Sequence, residues 1–285
     1  MIRSGFPFFE ERHNAIYDVL PYMEPGLCLD IGAAAGQYTR LIRSKSPQSP
    51  VIAFEPFPGN IPYFEKTNGA DPMVTLINAA VSDEPGDQNF FVGSTVQGAE
   101  AGWEALKGFS AVGHLVSDSD DRTDKIMKVK TVRVDEVVGE QVVQFAKIDV
   151  QGTEHSVLRS SRKLLSAGRI RLIFIEFDGS PDIVNELIEN DYELYDSEYL
   201  LVPLREDPDL GGWNIFKDMV LSTGRTAFRA WPKSQTNTLV EYLEWFAAER
   251  AKIGGLFNDL VAVHRSYAHE FEMAAERARV AAAAR

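Results

Sequence analysis

Between Leu27 and Thr39 an apolar run, Leu27-Cys28-Leu29, ends in Asp30 and passes through Ile31-Gly32-Ala33-Ala34-Ala35-Gly36 into a helix-like segment beginning Gln37-Tyr38-Thr39. A strand that turns through glycines into a helix commits the chain to a parallel sheet with helical crossovers. Glycine lets a ligand approach the backbone without a Cβ in the way, and the helix start offers free N–H groups at its positive dipole end. A nucleoside cofactor is therefore expected at this turn. A second apolar run, Val51-Ile52-Ala53-Phe54, ends in Glu55, 25 positions after Asp30. A carboxylate at the tip of a second strand can accept hydrogen bonds from both ribose hydroxyls.

Glycine spacing separates the cofactor classes. A dinucleotide fingerprint reads GxGxxG, whereas this loop carries only Gly32 and Gly36 behind a strand-terminal acid. Asp30 would repel a pyrophosphate but can orient the ammonium of an amino-acid-like cofactor, directly or through water. S-adenosylmethionine fits better than NAD. Asp30, Gly32, Ala34 and Gly36 are expected to line its amino-acid end, Thr39 to stand near the helix start, and Glu55 to take the ribose.

The strand-and-helix rhythm continues along the chain. A helix is predicted over residues 14–23, where Ile16, Val19 and Leu20 recur at helical spacing, with Pro25-Gly26 ending it. Helix is predicted over 38–44 and 61–68, and strand over 51–54 and 74–80. Two short strands, 90–92 and 129–134, flank a polar, glycine-bearing stretch at 93–128 that reads as a mobile substrate loop or lid. Strand resumes at 142–150, helix at 154–165, strand at 170–177 and helix at 182–189. Residues 192–196 and 218–222 supply the last two strands. From about Thr238 onward apolar or small residues at Leu239, Leu243, Phe246, Ile253, Phe257, Leu260, Tyr267, Phe271 and Ala274 alternate in steps of four and three. That spacing predicts a long amphipathic helix, bent at Gly254-Gly255, packed on its own domain, a twin subunit or a foreign partner.

Four segments carry a family resemblance: DIGAAAGQYT from Asp30 to Thr39, FEPFPGN from Phe54 to Asn60, KIDVQGTEHSVL from Lys147 to Leu158, and LIFIEFD from Leu172 to Asp178. Together they resemble the FkbM family of S-adenosylmethionine-dependent methyltransferases, in the family's order over roughly residues 20 to 200. Ala34 departs from the middle glycine of many class I methyltransferases, but it is small. The resemblance implies a doubly wound, mostly parallel, seven-stranded α/β sheet with its last strand reversed. On that reading residues 1–235 form a Rossmann-like domain and 236–285 a C-terminal helical extension that oligomerises or binds a partner. It further implies adenine beside Ala80-Val81-Ser82-Asp83, with Ser82 or Asp83 bonding the exocyclic amine. Phe57 either covers one face of the base or belongs to the core.

Methyl transfer from a sulfonium is mainly a matter of placement, but an aliphatic hydroxyl also needs a base or a divalent ion. Asp149 closes the fourth long strand, and in a doubly wound fold such strand ends face the ligand crevice. It is the first choice for a catalytic or acceptor-orienting carboxylate. Glu154 follows the Gln151-Gly152 turn and either joins it or caps the next helix. Glu176 stands near the end of the fifth strand beside Asp178. Three carboxylates around one crevice would also suit Mg²⁺. His155 and His114 are further candidate bases, since imidazole titrates near neutral pH. Lys147 shares a strand face with Asp149, which suggests an ion pair.

The net charge is -13, and no basic cluster is interleaved with aromatics, so neither nucleic acid nor an anionic membrane face is an expected partner. Cys28 is the only cysteine, which leaves no internal disulfide and no cysteine-rich zinc site. With no apolar leader after Met1 and no long apolar run, a cytoplasmic location is expected. The resemblance favours O-methylation of a hydroxyl on a sugar, a glycan or a secondary metabolite, and the spacing in the C-terminal helix favours a homo-oligomer. N-methylation stays open, as does a non-catalytic scaffold docking a biosynthetic enzyme through the C-terminal helix. A nicotinamide oxidoreductase would require the missing GxGxxG.

Overall fold

The computed structural model describes residues 16–93, 110, 113–117, 125–196, 217–220, 226–230, 243–244, 247–248, 251 and 258–284. Along the chain β1 (Leu27–Ile31), α1 (Gln37–Lys45), β2 (Val51–Phe54), α2 (Ile61–Asn68) and β3 (Val74–Ile77) alternate. Four strands and a short helix follow: β4 (Ala80–Val81), β5 (Gly86–Phe91), β6 (His114–Val116), β7 (Ile126–Val132) and α3 (Val134–Val138). Alternation resumes with β8 (Val143–Ile148), α4 (Glu154–Ser160), α5 (Arg162–Ser166), β9 (Ile170–Phe177), α6 (Pro181–Glu189) and β10 (Tyr192–Asp196). The remainder supplies β11 (Lys217–Val220), β12 (Thr226–Ala230), β13 (Asn258–His264) and α7 (Ala268–Ala283).

The main sheet runs β11-β12-β10-β13-β9-β8-β1-β2-β3. β1 pairs in parallel with β2 and β8, β2 with β3, and β8 with β9, while β13 is antiparallel to both β9 and β10. From β3 to β10 these are the seven strands of the expected doubly wound sheet, including one reversed strand. Two more, β12 and β11, extend the sheet at its β10 edge, so its nine strands exceed the expected seven. All residues of β1 and β8 are buried, as strands covered on both faces must be. Leu29, Ile173, Ile175 and Leu260 lie in the cluster that packs under α4 and α6, while Cys28, Phe145, Phe174 and Val261 face the opposite cluster with Tyr17 and Phe271. Each fully buried side chain of this size contributes about 1.5–3 kcal/mol.

The reversed strand is not the expected segment 218–222, part of which forms β11 at the edge. It is β13, within the stretch read as one long helix. Leu260, Val261, Ala262 and Val263 are all fully buried, and alternate members face opposite clusters. A continuous apolar run fits a covered strand as well as a helix, and the open slot between β9 and β10 selects the strand. Helix is present at 243–244, 247–248 and 251, and again from Ala268 to Ala283. Phe271, Ala274 and Ala275 of the last helix pack on the same chain, beside Leu20 and Met23.

Smaller differences have local causes. The helix expected over 154–165 breaks at Ser161, because the Ser160 and Ser161 hydroxyls both donate to Val157 O, at 2.7 and 2.9 Å. Asp135 then accepts from Lys163 N and Leu164 N, each at 3.2 Å, and starts α5. The helix expected over 14–23 is, within the described residues, a turn at 16–19 and a short 3₁₀ segment, Leu20–Tyr22. The third strand stops at Ile77, and Ala80–Val81 joins a second sheet of order β4-β7-β5-β6. Part of the stretch read as a lid loop, 114–116, is therefore strand β6, antiparallel to β5. The rest of that stretch, apart from Gly93, Ser110, Gly113, Ser117 and 125–128, lies outside the described residues.

Candidate active site

Side chains alternate across a strand, so residues two apart share a face. Cys28, Phe145, Phe174 and Val261 face one cluster, and this puts Asp30, Lys147, Glu176 and Asp259 on the same side, toward the carboxyl ends of β1, β8 and β9. Lys147 is the hub. Its ammonium donates to Gly32 O at 2.7 Å and lies 3.5 Å from Asp30 Oδ1 and 3.6 Å from Asp149 Oδ2. It also stands 5.1 Å from the Tyr38 ring centroid. Burial opposes the charge, but Asp149 and Asp30 outweigh it and raise the pKa of Lys147. The expected ion pair with Asp149 is present and extends to Asp30.

Asp30 is fully buried, and Thr39 Oγ1 donates to its Oδ2 at 2.6 Å. Thr39 stands in the first turn of α1, as expected, and from there orients Asp30. Asp30 Oδ1 faces the Lys147 ammonium at 3.5 Å and accepts from no other group among the described residues. Gly32 and Gly36 both have positive φ, 81° and 80°. A Cβ on Gly32 would lie 1.8 Å from Asp149 O, and one on Gly36 would lie 2.1 Å from Asn68 Nδ2. Each glycine admits a neighbouring loop or helix of the protein, and Gly32 also lines the cleft beside Glu55. Ala34, at φ 50°, directs its N–H to Glu55 Oε2 at 2.8 Å.

Glu55 is only 4% exposed and ties three segments together. Besides Ala34 N, it accepts from Phe57 N at 2.8 Å and from Asn60 Nδ2 at 3.2 Å. Burial pushes its pKa up to about 7 against the pull of these donors. The Phe57 ring packs toward Ala80, Phe90 and Val129 of the second sheet, the core alternative for this residue. Beside Glu55 a small apolar cleft opens between the two sheets. Ile31, Pro56, Ala79 and Val150 line one side and Phe90, His114 and Leu115 the other. His114 therefore stands on a strand over the cleft, with its ring 5.3 Å from that of Phe91.

Ser82 and Asp83 do not line this cleft. Ser82 Oγ lies 3.2 Å from Ser156 Oγ, and Asp83 accepts from Ser156 Oγ at 2.5 Å and pairs with Arg159 Nη2 at 2.8 Å. Both bond to α4, and Ser82 Oγ also accepts from Gln88 Nε2 at 3.1 Å. Asn78, which the sequence reading passed over, donates to Glu55 O at 2.7 Å and to Pro56 O at 3.2 Å and shapes the loop beside the cleft.

Toward β9, Asp149 has a side chain 35% exposed, against 2% for Lys147 and 0% for Asp30, so it is the member of the charged group that an acceptor can reach. Gln151, at φ 61°, donates to Asp149 Oδ1 at 2.7 Å and to Glu176 Oε2 at 3.1 Å. Burial, then Asp149, Glu154 and Asp259, push the Glu176 carboxyl up to about 9. Glu154 turns inward and accepts from Val150 N at 3.0 Å and from Gly152 N at 3.0 Å. It holds the turn that carries Gln151. His155 faces α6, 3.7 Å from Glu186 Oε2 and 3.9 Å from Asp182 Oδ2, and is not brought to the carboxylates of the crevice. Asp178 accepts from Ser180 N at 2.9 Å ahead of α6. Among the described residues no group of three or more His, Cys, Asp or Glu is arranged to hold a metal ion, so Mg²⁺ gains no support.

A parallel sheet in this strand order, with acids at the carboxyl ends of its adjacent β2, β1 and β8, defines a Rossmann-like fold of the class I methyltransferase type. The Methyltransferase FkbM domain matches residues 30–198, more than half of the chain, and the chain belongs to that family. A relative, "Methyltransferase 1" of Beauveria bassiana (strain ARSEF 2860), is 26% identical over 154 residues, which cover 50% of this chain and 61% of that protein. The chain thus spans less than two thirds of that relative's length. Similar solved structures include precorrin-6y C5,15-methyltransferase from Geobacter metallireducens GS-15, at 13% identity and TM-score 0.36 over 67% of this chain and 76% of that one. The plantazolicin methyltransferase BpumL in complex with SAH is similar at 12% identity and TM-score 0.34, over 90% and 82% of the two chains. Likeness at that level carries nothing about the reaction.

Proposed function

We propose that the protein transfers a methyl group from S-adenosylmethionine to a hydroxyl of a sugar, a glycan or a secondary metabolite. The observation that carries this reading is the convergence of Glu55, Asp30 and Asp149 at the carboxyl ends of three adjacent strands, with Lys147 between the last two. The residues suit the cofactor. The apolar lining of the cleft suits a face of a nucleobase, Glu55 retains one lone-pair site for a ribose hydroxyl beyond the three its donors take, and Asp30 is a buried acceptor beside the Lys147 ammonium. Bound there, S-adenosylmethionine supplies an electrophilic methyl on a good, neutral leaving group.

The chain's own part is placement and proton handling. Two carboxyls with opposed environments divide the work. Glu176, pushed up to about 9, holds its proton at neutral pH and does not serve as the base. Asp149, held by Gln151 on one oxygen and by Lys147 on the other, is the carboxylate that orients the acceptor hydroxyl and takes its proton.

Calorimetry with S-adenosylmethionine, S-adenosylhomocysteine and NADH tests the cofactor, and adenosyl binding alone is expected. Acceptor screening by mass spectrometry, which reads the gain of one methylene, tests the transfer. Asp149→Asn is expected to lower kcat by about 10²–10⁴ while leaving S-adenosylhomocysteine affinity nearly unchanged. Unchanged turnover in that variant would remove Asp149 from the role.

A further inference from the structure

The string Glu55-Pro56-Phe57-Pro58-Gly59-Asn60 ends in a residue to which ribose binding gives no part. Asn60 is 1% exposed and is not among the residues lining the cleft. Its backbone is fixed, with its N–H donated to Phe57 O at 3.0 Å and α2 starting at the next residue. Its side chain uses both of its N–H groups. Nδ2 donates to Glu55 Oε1 at 3.2 Å and to Ser110 O at 2.7 Å, while Oδ1 accepts from Ser110 N at 3.0 Å. Ser110 is buried in turn, and its Oγ donates to Val92 O at 2.5 Å, just past the end of β5. Shortly after Ser110, His114 opens β6, and both it and Leu115 line the cleft.

A buried amide that gives two donors and one acceptor to one carboxylate and one peptide unit has a single orientation. Turned over, it would set Oδ1 against Glu55 Oε1 and Ser110 O, and Nδ2 against the Ser110 N–H. Asn60 thus joins the loop after β2, which carries Glu55, to the chain entering β6, which roofs the cleft. We propose that Asn60 is a positioning residue of the cofactor site: it holds the Glu55 carboxylate and the roof strand β6 at a fixed spacing, so that a nucleoside meets both at once. This role rests on the S-adenosylmethionine reading above and extends the site to the second sheet.

Asn60→Asp keeps the shape and the acceptor facing Ser110 N but sets a second acid against Glu55 Oε1. Asn60→Leu removes all three bonds without adding charge. Calorimetric titration with S-adenosylhomocysteine across pH 6–9 tests both, together with hydrogen exchange of the β6 amides in the ligand-free proteins. Since a hydrogen bond to a charged group is lost, both variants should bind about tenfold or more weakly at pH 7. In Asn60→Asp the pH at which affinity levels off should also move upward, because the added acid holds the proton on Glu55, whose other neighbours, Phe57 N, Ala34 N and Lys147, are unchanged. The β6 amides should exchange faster in both variants while those of β1 and β8 stay protected. A merely structural Asn60 would lower the thermal midpoint and leave affinity and its pH dependence as in the unmodified protein, and that result overturns the proposal, as does unaltered exchange in β6. If neither variant folds, Ser110→Ala decides: it releases the far end of the link from Val92 and should weaken binding about threefold, and undiminished binding overturns the proposal. If the unmodified protein does not bind S-adenosylhomocysteine at any pH, the cofactor reading itself fails and this role with it.

Discussion

Glu55 shows how much a single side chain carries. An acid whose pKa is higher folded than unfolded binds extra protons in the native state, so its contribution to stability is fully present below its ordinary value of 4.5 and is lost as pH rises to about 7. Glu176 has the same sign and extends the decline to about 9. Denaturant titrations across pH 4–9 should therefore show stability falling with pH, and Glu55→Gln should flatten the curve below pH 7 and leave the slope above it. A rising curve would contradict the burial of these groups. Ribose hydroxyls donate to the ionised form, so S-adenosylhomocysteine affinity should rise as pH approaches 7 and level beyond it, with proton release on binding. Asp30 and Glu55 were legible in the sequence because each ends an apolar run. Gln151 and the bridging part of Lys147 were not, since Glu176 and Asp30 come to them from distant segments that only the folded sheet brings together. The bonds of Ser82 and Asp83 to Ser156 and Arg159 were equally hidden, because a polar loop after a strand does not reveal which helix it will meet.

Among the elements, β13 decides whether the sheet closes. Its backbone pairs with β9 on one side and β10 on the other, and Leu260 to Val263 fill both faces. A chain ending at residue 257 loses that pairing and opens two strand edges in the middle of the sheet. It is expected to lose its cooperative thermal transition. A chain ending at residue 267 keeps β13 and loses only the cover of Phe271, Ala274 and Ala275, and should unfold cooperatively at a lower midpoint, roughly 2–5 kcal/mol less stable. Circular dichroism melts of both chains check this, and a cooperative fold in the shorter one would show that β13 is dispensable. Elements with one clear period were legible: β2, α2, β9 and β10 begin and end where the pattern of apolar residues, prolines and glycines predicts. The tail was not, because the steps of four and three through Leu260 match a helix while the run Leu260–Val263 is equally a covered strand. The break between α4 and α5 depends on Asp135 reaching in from α3, which no local pattern encodes.

For the molecule as a whole, the main sheet sets the acids in a row and the second sheet roofs the apolar cleft beside them with Phe90, His114 and Leu115. Charge is distributed accordingly. The net value of -13 goes with a carboxyl edge carrying Asp30, Asp149 and Asp259, an edge whose field favours a sulfonium or ammonium over a phosphate. No described helix is long and apolar enough to cross a membrane. The apolar face of α7 on which self-association was expected to rest, Phe271 and Ala274, is buried against its own domain. The central claim is that one crevice at the carboxyl ends of β2, β1 and β8 holds an adenosyl amino acid. A crystal structure with S-adenosylhomocysteine tests it most directly. Its base should lie in the cleft under His114, its ribose hydroxyls on Glu55 and its amino-acid end at Asp30, whereas a ligand bound beyond hydrogen-bond reach of both Glu55 and Asp30 would contradict the account.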